Sequence, residues 1–218
     1  RDPEHRVTTA TPGGGWIVVI PVKEAHRGKT RLAVAGVDRA DLARAVALDT
    51  IAAAAACDEA ARVLVVTDDL EVAATAASAR VEVCAEGAAG GLDAAIAIGM
   101  DRAGDGVPRA ALLGDLPALR PGDLGAALRL ASSHERTVVA DAEGTGSTLV
   151  TAAAGATWTS AFGPDSFARH VALGCRPSDV PDSSTLRRDV DTADQLTAAA
   201  ELGLGAHAAA LLRTRVPT

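Results

Sequence analysis

The chain is 218 residues long and carries 28 acidic against 21 basic side chains, a net charge of -7. That balance excludes a broad electrostatic attraction to nucleic acid or anionic lipid, so any phosphate the protein handles must be met by local positive charge. Aromatic residues make up only 2% of the chain and tyrosine is absent, which removes the stacking platforms of a single-strand binder.

Residues 1–15, "RDPEHRVTTATPGGG", are polar and end in a glycine run, and are read as a flexible leader outside the fold. From there to residue 218 no composition break marks a second domain. Short apolar runs rich in Val, Ile and Leu follow at "WIVVIPV", "RVLVVT", "VEVCA", "RAALLGD", "TVVAD" and "STLVTA", separated mainly by helical spacing. The clearest helices are Asp38 to Cys57, Gly91 to Ala103, Pro121 to Ser132 and Thr192 to Leu202, where Ala, Leu and Glu favour helix and Asp or Thr can cap the starts. "TVVAD" and "STLVTA" follow one another without a helix, which predicts an antiparallel pair in an otherwise parallel α/β sheet. Cys57, Cys84 and Cys175 are far apart and form no CxxC pattern, so neither a zinc site nor a disulfide framework is expected, and a reducing cytoplasm fits. No run approaches the roughly 20 apolar residues of a membrane span, and the start lacks the pattern of a signal peptide.

Gly28-Lys29-Thr30 reads like the end of a phosphate-binding P-loop, but the glycine that should stand five positions earlier is Lys23. Lysine supplies charge where that loop needs conformational freedom. What remains is a basic loop, Lys23, Lys29 and Arg31, after the first strand, at the sheet edge where α/β ligands bind. It either clasps a triphosphate or is simply solvated.

"ALLGDLPAL" sets Asp115 directly after a strand, again at the carboxyl edge, as a candidate magnesium ligand. In "RRDVDTADQL", Asp189 and Asp191 point to the same side if extended, at about 6.6 Å spacing, although Asp191 could instead cap the helix that follows. The glycine-rich turn of "DAEGTGSTLV", with Thr145 and Ser147, and "FGPDSFARH", with Gly163 and Ser166, can bind a small anionic group or can be turns alone. Ser166 and His170 lie four apart on a predicted helical stretch, but no G-x-S-x-G elbow supports a hydrolase. His26, His134 and His207 show no ligand spacing and are read as surface residues.

The ordered set "IPVK…GKTRL", "GGLDAAI", "GDLPALRP", "D-x-x-GTGS", "FGPDSFARHVALG" and "RRDVDT", spanning about Trp16 to Gly205, resembles the phosphoenolpyruvate or 2-phospholactate guanylyltransferases of coenzyme F-420 biosynthesis. The resemblance implies a Rossmann-like nucleotidyltransferase fold, of the type seen in molybdopterin guanylyltransferases, with Mg²⁺ held by Asp115, Asp189 and Asp191. It implies that Lys23, Lys29 and Arg31 hold the GTP phosphates and, with Asp115, serve catalysis, while Gly91, Leu92 and Asp93 contact the nucleotide. The family often carries asparagine at the Asp93 position. The small phosphorylated three-carbon acid would sit against Ser147, Gly163 and Ser166, with Thr145 beside them. The implied reaction is transfer of GMP to that acid, phosphoenolpyruvate being favoured by the Ala- and Arg-rich composition of a GC-rich bacterial source. Nucleotidyl transfer to another acceptor, or nucleotide binding without catalysis, are the competing readings.

Overall fold

The structure, a computed structural model, describes residues 15–24, 32–88 and 90–214. Seven strands, β1 (Trp16–Pro21), β2 (Ala60–Val66), β3 (Val81–Cys84), β4 (Arg109–Leu112), β5 (Arg136–Ala140), β6 (Ser147–Ala152) and β7 (Arg176–Pro177), form one sheet in the order β3-β2-β1-β4-β6-β5-β7. The neighbours pair in parallel except where β6 meets β4 and β5, so β6 alone runs backwards. The expected antiparallel pair is therefore β5 and β6, with β6 inserted between β4 and β5.

Strand β1 is buried along its whole length because both sheet faces are covered. Its side chains alternate between two cores: Trp16, Val18 and Ile20 pack on one face with Ile51, Leu124 and Leu128, and Ile17 and Val19 on the other with Ile96 and Met100. Helices α1 (Arg39–Ala55) and α4 (Pro121–Ala131) cover the first face, and α3 (Leu92–Ala103) the second. Gly99 lets α3 lie close to the sheet, since a Cβ there would overlap the Val19 side chain. Residues 32–37, α1 and α6 (Ala193–Leu202) enclose a smaller core around Leu42, Val46, Val190 and Leu196.

The four expected helices are present with ends shifted by at most two residues, and Asp38 caps α1 by accepting from the Ala40 and Asp41 amides at 2.8 and 3.1 Å. Helices α2 (Leu70–Ala76), α5 (Ser166–Ala172) and α7 (Ala206–Arg213) are the other α-helices among the described residues. Helix α7 gets its N-terminal cap from elsewhere in the chain: the buried Asp49 of α1 accepts from the amides of His207 and Ala208 at 2.8 and 2.9 Å. A side chain at Gly205 would strike that carboxylate. His207 is exposed and His134 half-buried, while His26 lies outside the described residues.

The strand order reverses between β1 and β4, and the crevice beyond their carboxyl ends is where an open α/β sheet binds ligands. Gly114, just past β4, lies against the Pro21 carbonyl and Val22, so the two strand ends converge. Because β6 runs backwards, its first residue, Ser147, opens on this same edge, paired with Ala140 at the end of β5. Among the described residues no helix is long and apolar enough to cross a membrane.

Candidate active site

Lys23 follows β1 at this edge and is exposed; Lys29 and Arg31, the other two cations of the basic loop, lie outside the described residues. Asp115 follows β4 and is half-buried. The Leu116 amide next to it donates to Thr50 Oγ1 at 2.9 Å, whose hydroxyl donates in turn to the Val46 carbonyl at 3.1 Å, so α1 sets the path of this loop.

Asp115 and the Asp189/Asp191 pair, far apart in sequence, meet directly: the Val190 amide donates to the Asp115 carbonyl at 3.0 Å. Val190 is fully buried in the smaller core, Asp189 is half-buried and Asp191 exposed, the alternation expected of an extended segment. The approach to this segment is pinned. Asp123 on α4 accepts from the Thr185 amide and hydroxyl at 2.8 and 2.5 Å, and Arg187 donates twice to the Asp141 carbonyl, at 3.2 and 2.9 Å. Asp191 does not cap α6, the alternative that the sequence left open. Thr192 does, accepting from the Gln195 amide at 3.2 Å in a reciprocal capping box.

Two acids that sequence reasoning did not single out join this corner. Asp141, Glu143 and Asp189 present carboxylate oxygens within 4.8 Å of one another. Burial, then the nearby carboxylates of Asp115, Asp141, Asp191 and Glu143, push Asp189 up to about 7. Its buried Oδ1 receives no hydrogen bond among the described residues. Such a corner supplies only hard oxygen donors and concentrates negative charge, which suits a magnesium-like cation. The signal for Asp141 was available, since "TVVAD" ends a strand in an aspartate just as "ALLGD" does. Its carboxylate, however, is engaged by the turn that follows, accepting from the Thr145 and Gly146 amides at 2.9 and 2.6 Å.

That turn carries the expected acceptor residues. Thr145 is exposed at its tip, and its carbonyl accepts from the Phe167 amide at 3.1 Å, bringing α5 against the turn. Ser166, at the start of α5, is buried, and its amide donates to the Gly163 carbonyl at 3.1 Å. Gly163 has a φ of 114°, a backbone conformation that an L side chain resists. The serine that meets His170 is Ser147 and not Ser166, at 3.0 Å from Nδ1. The structure thus gathers Thr145, Ser147, Gly163 and Ser166 beside the acidic corner, with Asp141 as the link.

Gly91 and Leu92 begin α3, Gly91 being exposed with a φ of 103°. Asp93 faces residues 160–162: its Oδ1 accepts from the Ser160 hydroxyl at 2.7 Å and from the Phe162 amide at 3.2 Å. An asparagine Oδ1 can accept the same two bonds, though more weakly than a carboxylate, so the departure at this position does not require a different tie between α3 and residues 160–162. Asp68, past β2, similarly accepts from the Glu86 and Gly87 amides at 2.9 and 3.0 Å and fixes the loop that leads into α3.

Comparison with known proteins bears on the fold and on the family. A nucleotidyl transferase from Methanothermobacter thermautotroptrophicus shares the fold with a TM-score of 0.60 and 19% identity, over 93% of this chain and all of that one. A phosphoenolpyruvate guanylyltransferase from Thermomonospora curvata is 46% identical over 90% of this chain and 88% of its own. One from Sanguibacter keddieii is 44% identical over 87% and 81% respectively. Residues 16–215 match the family described as CofC-like guanylyl transferases, and the chain belongs to that family.

Proposed function

We propose that the protein transfers GMP from GTP to the phosphate of phosphoenolpyruvate, yielding enolpyruvyl-diphospho-guanosine and diphosphate. The observation that carries this reading is the junction of two corners at one sheet edge: Asp115, Asp189 and Asp191 on one side, and Thr145, Ser147, Gly163 and Ser166 on the other, joined through Asp141. Relatives named phosphoenolpyruvate guanylyltransferase supply the acceptor.

In this reading a phosphate oxygen of the acid attacks the α-phosphorus of GTP in line. A P–O bond forms there as the bond to the bridging oxygen breaks, and diphosphate leaves. No protein nucleophile is needed, and a phosphate already ionised near neutral pH needs little help from a base. Catalysis then rests on positioning and on neutralising charge on the transferred group and diphosphate. Asp115, Asp189 and Asp191 would hold Mg²⁺, which supplies that neutralisation when bound. Lys23, with Lys29 and Arg31 of the same loop, holds the GTP phosphates, and Gly91, Leu92 and Asp93 border the nucleotide. Thr145, Ser147, Gly163 and Ser166 hold the acid.

The test is GTP with phosphoenolpyruvate, 2-phospholactate or 3-phosphoglycerate in parallel, with and without Mg²⁺, products being identified by mass. Diphosphate and the guanylylated acid are expected only when Mg²⁺, GTP and phosphoenolpyruvate are all present. Diphosphate release without an acid, or no product from any of the three, would overturn the reading.

A further inference from the structure

Among the described residues His170 is the largest polar side chain withdrawn completely from solvent, and the reaction as derived leaves it idle. Its ring spans the acceptor corner from α5. Nδ1 lies 3.0 Å from Ser147 Oγ on β6, Nε2 accepts from the Ala161 amide at 2.9 Å, and the ring meets Phe162 edge-on at 4.8 Å. Proton accounting fixes what each atom does. A backbone amide can only donate, so Nε2 must offer its lone pair to Ala161 and is unprotonated. Burial pulls the imidazole below its usual value, with the Ser166 backbone and Asp93 opposing and Arg169 assisting, so the ring is neutral and its one proton sits on Nδ1. Nδ1–H therefore donates to Ser147 Oγ. The hydroxyl hydrogen of Ser147 is turned away from the ring, and toward any incoming group Ser147 has a donor to give.

We propose that His170 is a positioning residue that fixes the polarity of the Ser147 hydroxyl, making it a dedicated hydrogen-bond donor to an anionic oxygen of the acceptor acid. A serine without this partner can rotate its hydroxyl and offer either a donor or an acceptor, at a cost in affinity for an anion and in discrimination against neutral analogues. The same ring holds Ala161 and Phe162, and Ser160 and Phe162 are tied in turn to Asp93 on α3, so the segment leading into Gly163 is held from two sides. The inference rests on the acceptor lying against Ser147, as the proposed function has it.

Three substitutions separate the two ring nitrogens. His170→Asn keeps a donor where Nδ1 stands and loses the acceptor for Ala161, His170→Gln keeps the acceptor and loses the donor, and His170→Phe loses both. With phosphoenolpyruvate varied at saturating GTP and Mg²⁺, the Phe and Gln variants are expected to raise the acceptor KM about tenfold or more. Their kcat and GTP KM should stay within about threefold of wild type, and Asn should return the acceptor KM to within about threefold. If the Phe variant does not fold, the contrast between Gln and Asn decides. In the wild-type protein labelled with ¹⁵N-histidine, the His170 ring should show a proton on Nδ1 and a bare Nε2. An unchanged acceptor KM in the Gln variant, a GTP KM that rises in step with it, or a proton on Nε2 would overturn the inference while leaving the guanylyltransferase standing. A wild-type protein that transfers no GMP to any of the three acids overturns the functional reading instead, and this inference with it.

Discussion

Asp141 and Asp189 present carboxylate oxygens within 4.8 Å of each other, yet the turn at 141–147 and the segment at 187–192 treat them in opposite ways. Asp141 is buried and spends both oxygens on amides of its own turn, Thr145 to Oδ1 and Gly146 to Oδ2, and a side chain at Gly146 would collide with it. Asp189 has a buried Oδ1 with no hydrogen-bond donor among the described residues, and faces Asp115, Asp141, Asp191 and Glu143. One carboxylate is satisfied from within and builds the fold. The other costs the fold something, a cost that a bound cation would relieve. Two acids in one cluster are thus told apart by who donates to them.

The largest effect that would sharpen this contrast is on turnover. Asp189→Asn should lower GMP transfer by about 100-fold or more, as removal of a charge-stabilising site does. Without divalent cations it should unfold no earlier than wild type in a thermal melt, because a neutral amide replaces the carboxylate that its neighbours repel. Activity within a few-fold of wild type, or a clearly lower melting temperature, would break the distinction. Asp141→Ala should do the reverse and cost about 2–4 kcal/mol in urea denaturation, from the loss of two hydrogen bonds to a charged acceptor. Intact stability combined with a 100-fold loss of turnover would move Asp141 into the same class as Asp189.

The two corners also differed in how legible they were. Six of the seven strands, four of the helices and the antiparallel β5–β6 pair follow from apolar periodicity and capping residues, which are local signals, whereas the two-residue β7 is too short to show one. Asp115 was legible because a strand runs straight into it, and the Asp189/Asp191 pair because alternation puts both on one side of an extended segment. Asp141 also ends a strand, but the glycine-rich turn after it is the stronger local signal and points to Thr145 and Ser147. That Asp141 binds its own turn depends on a fold-back that spacing does not encode. The spacing of His170 points to Ser166, four residues away on the same helix, whereas its partner is Ser147, which reaches it because β6 runs backwards through the sheet. Helix α2 is too short for a helical period to show. Helix α7 owes its cap to Asp49, more than 150 positions earlier.

A smaller effect tests the cation itself. Mg²⁺ at about ten times its dissociation constant should stabilise the wild-type protein by about 1.4 kcal/mol, through binding the folded state alone. Asp189→Asn and Asp115→Asn should show little or none of this shift in a melt followed over a Mg²⁺ titration. An equal shift in all three proteins would place the cation elsewhere.

Asp49 supplies the mildest test, because it combines the two circumstances. Like Asp141 it gives each oxygen to a backbone amide, those of His207 and Ala208. Like Asp189 it is pushed up by burial, here opposed by those amides and by His207. Asp49→Asn gives up one of the two bonds, since its amide nitrogen cannot accept, but it also removes a buried charge. The net cost should be under about 1 kcal/mol in urea denaturation, well below that of Asp141→Ala. Turnover should stay within about twofold of wild type, because Asp49 braces α7 and takes no part in the acidic corner. A loss as large as that of Asp141→Ala would show that burial costs Asp49 little. Donor count alone, and not the electrostatic surroundings, would then set what each carboxylate contributes.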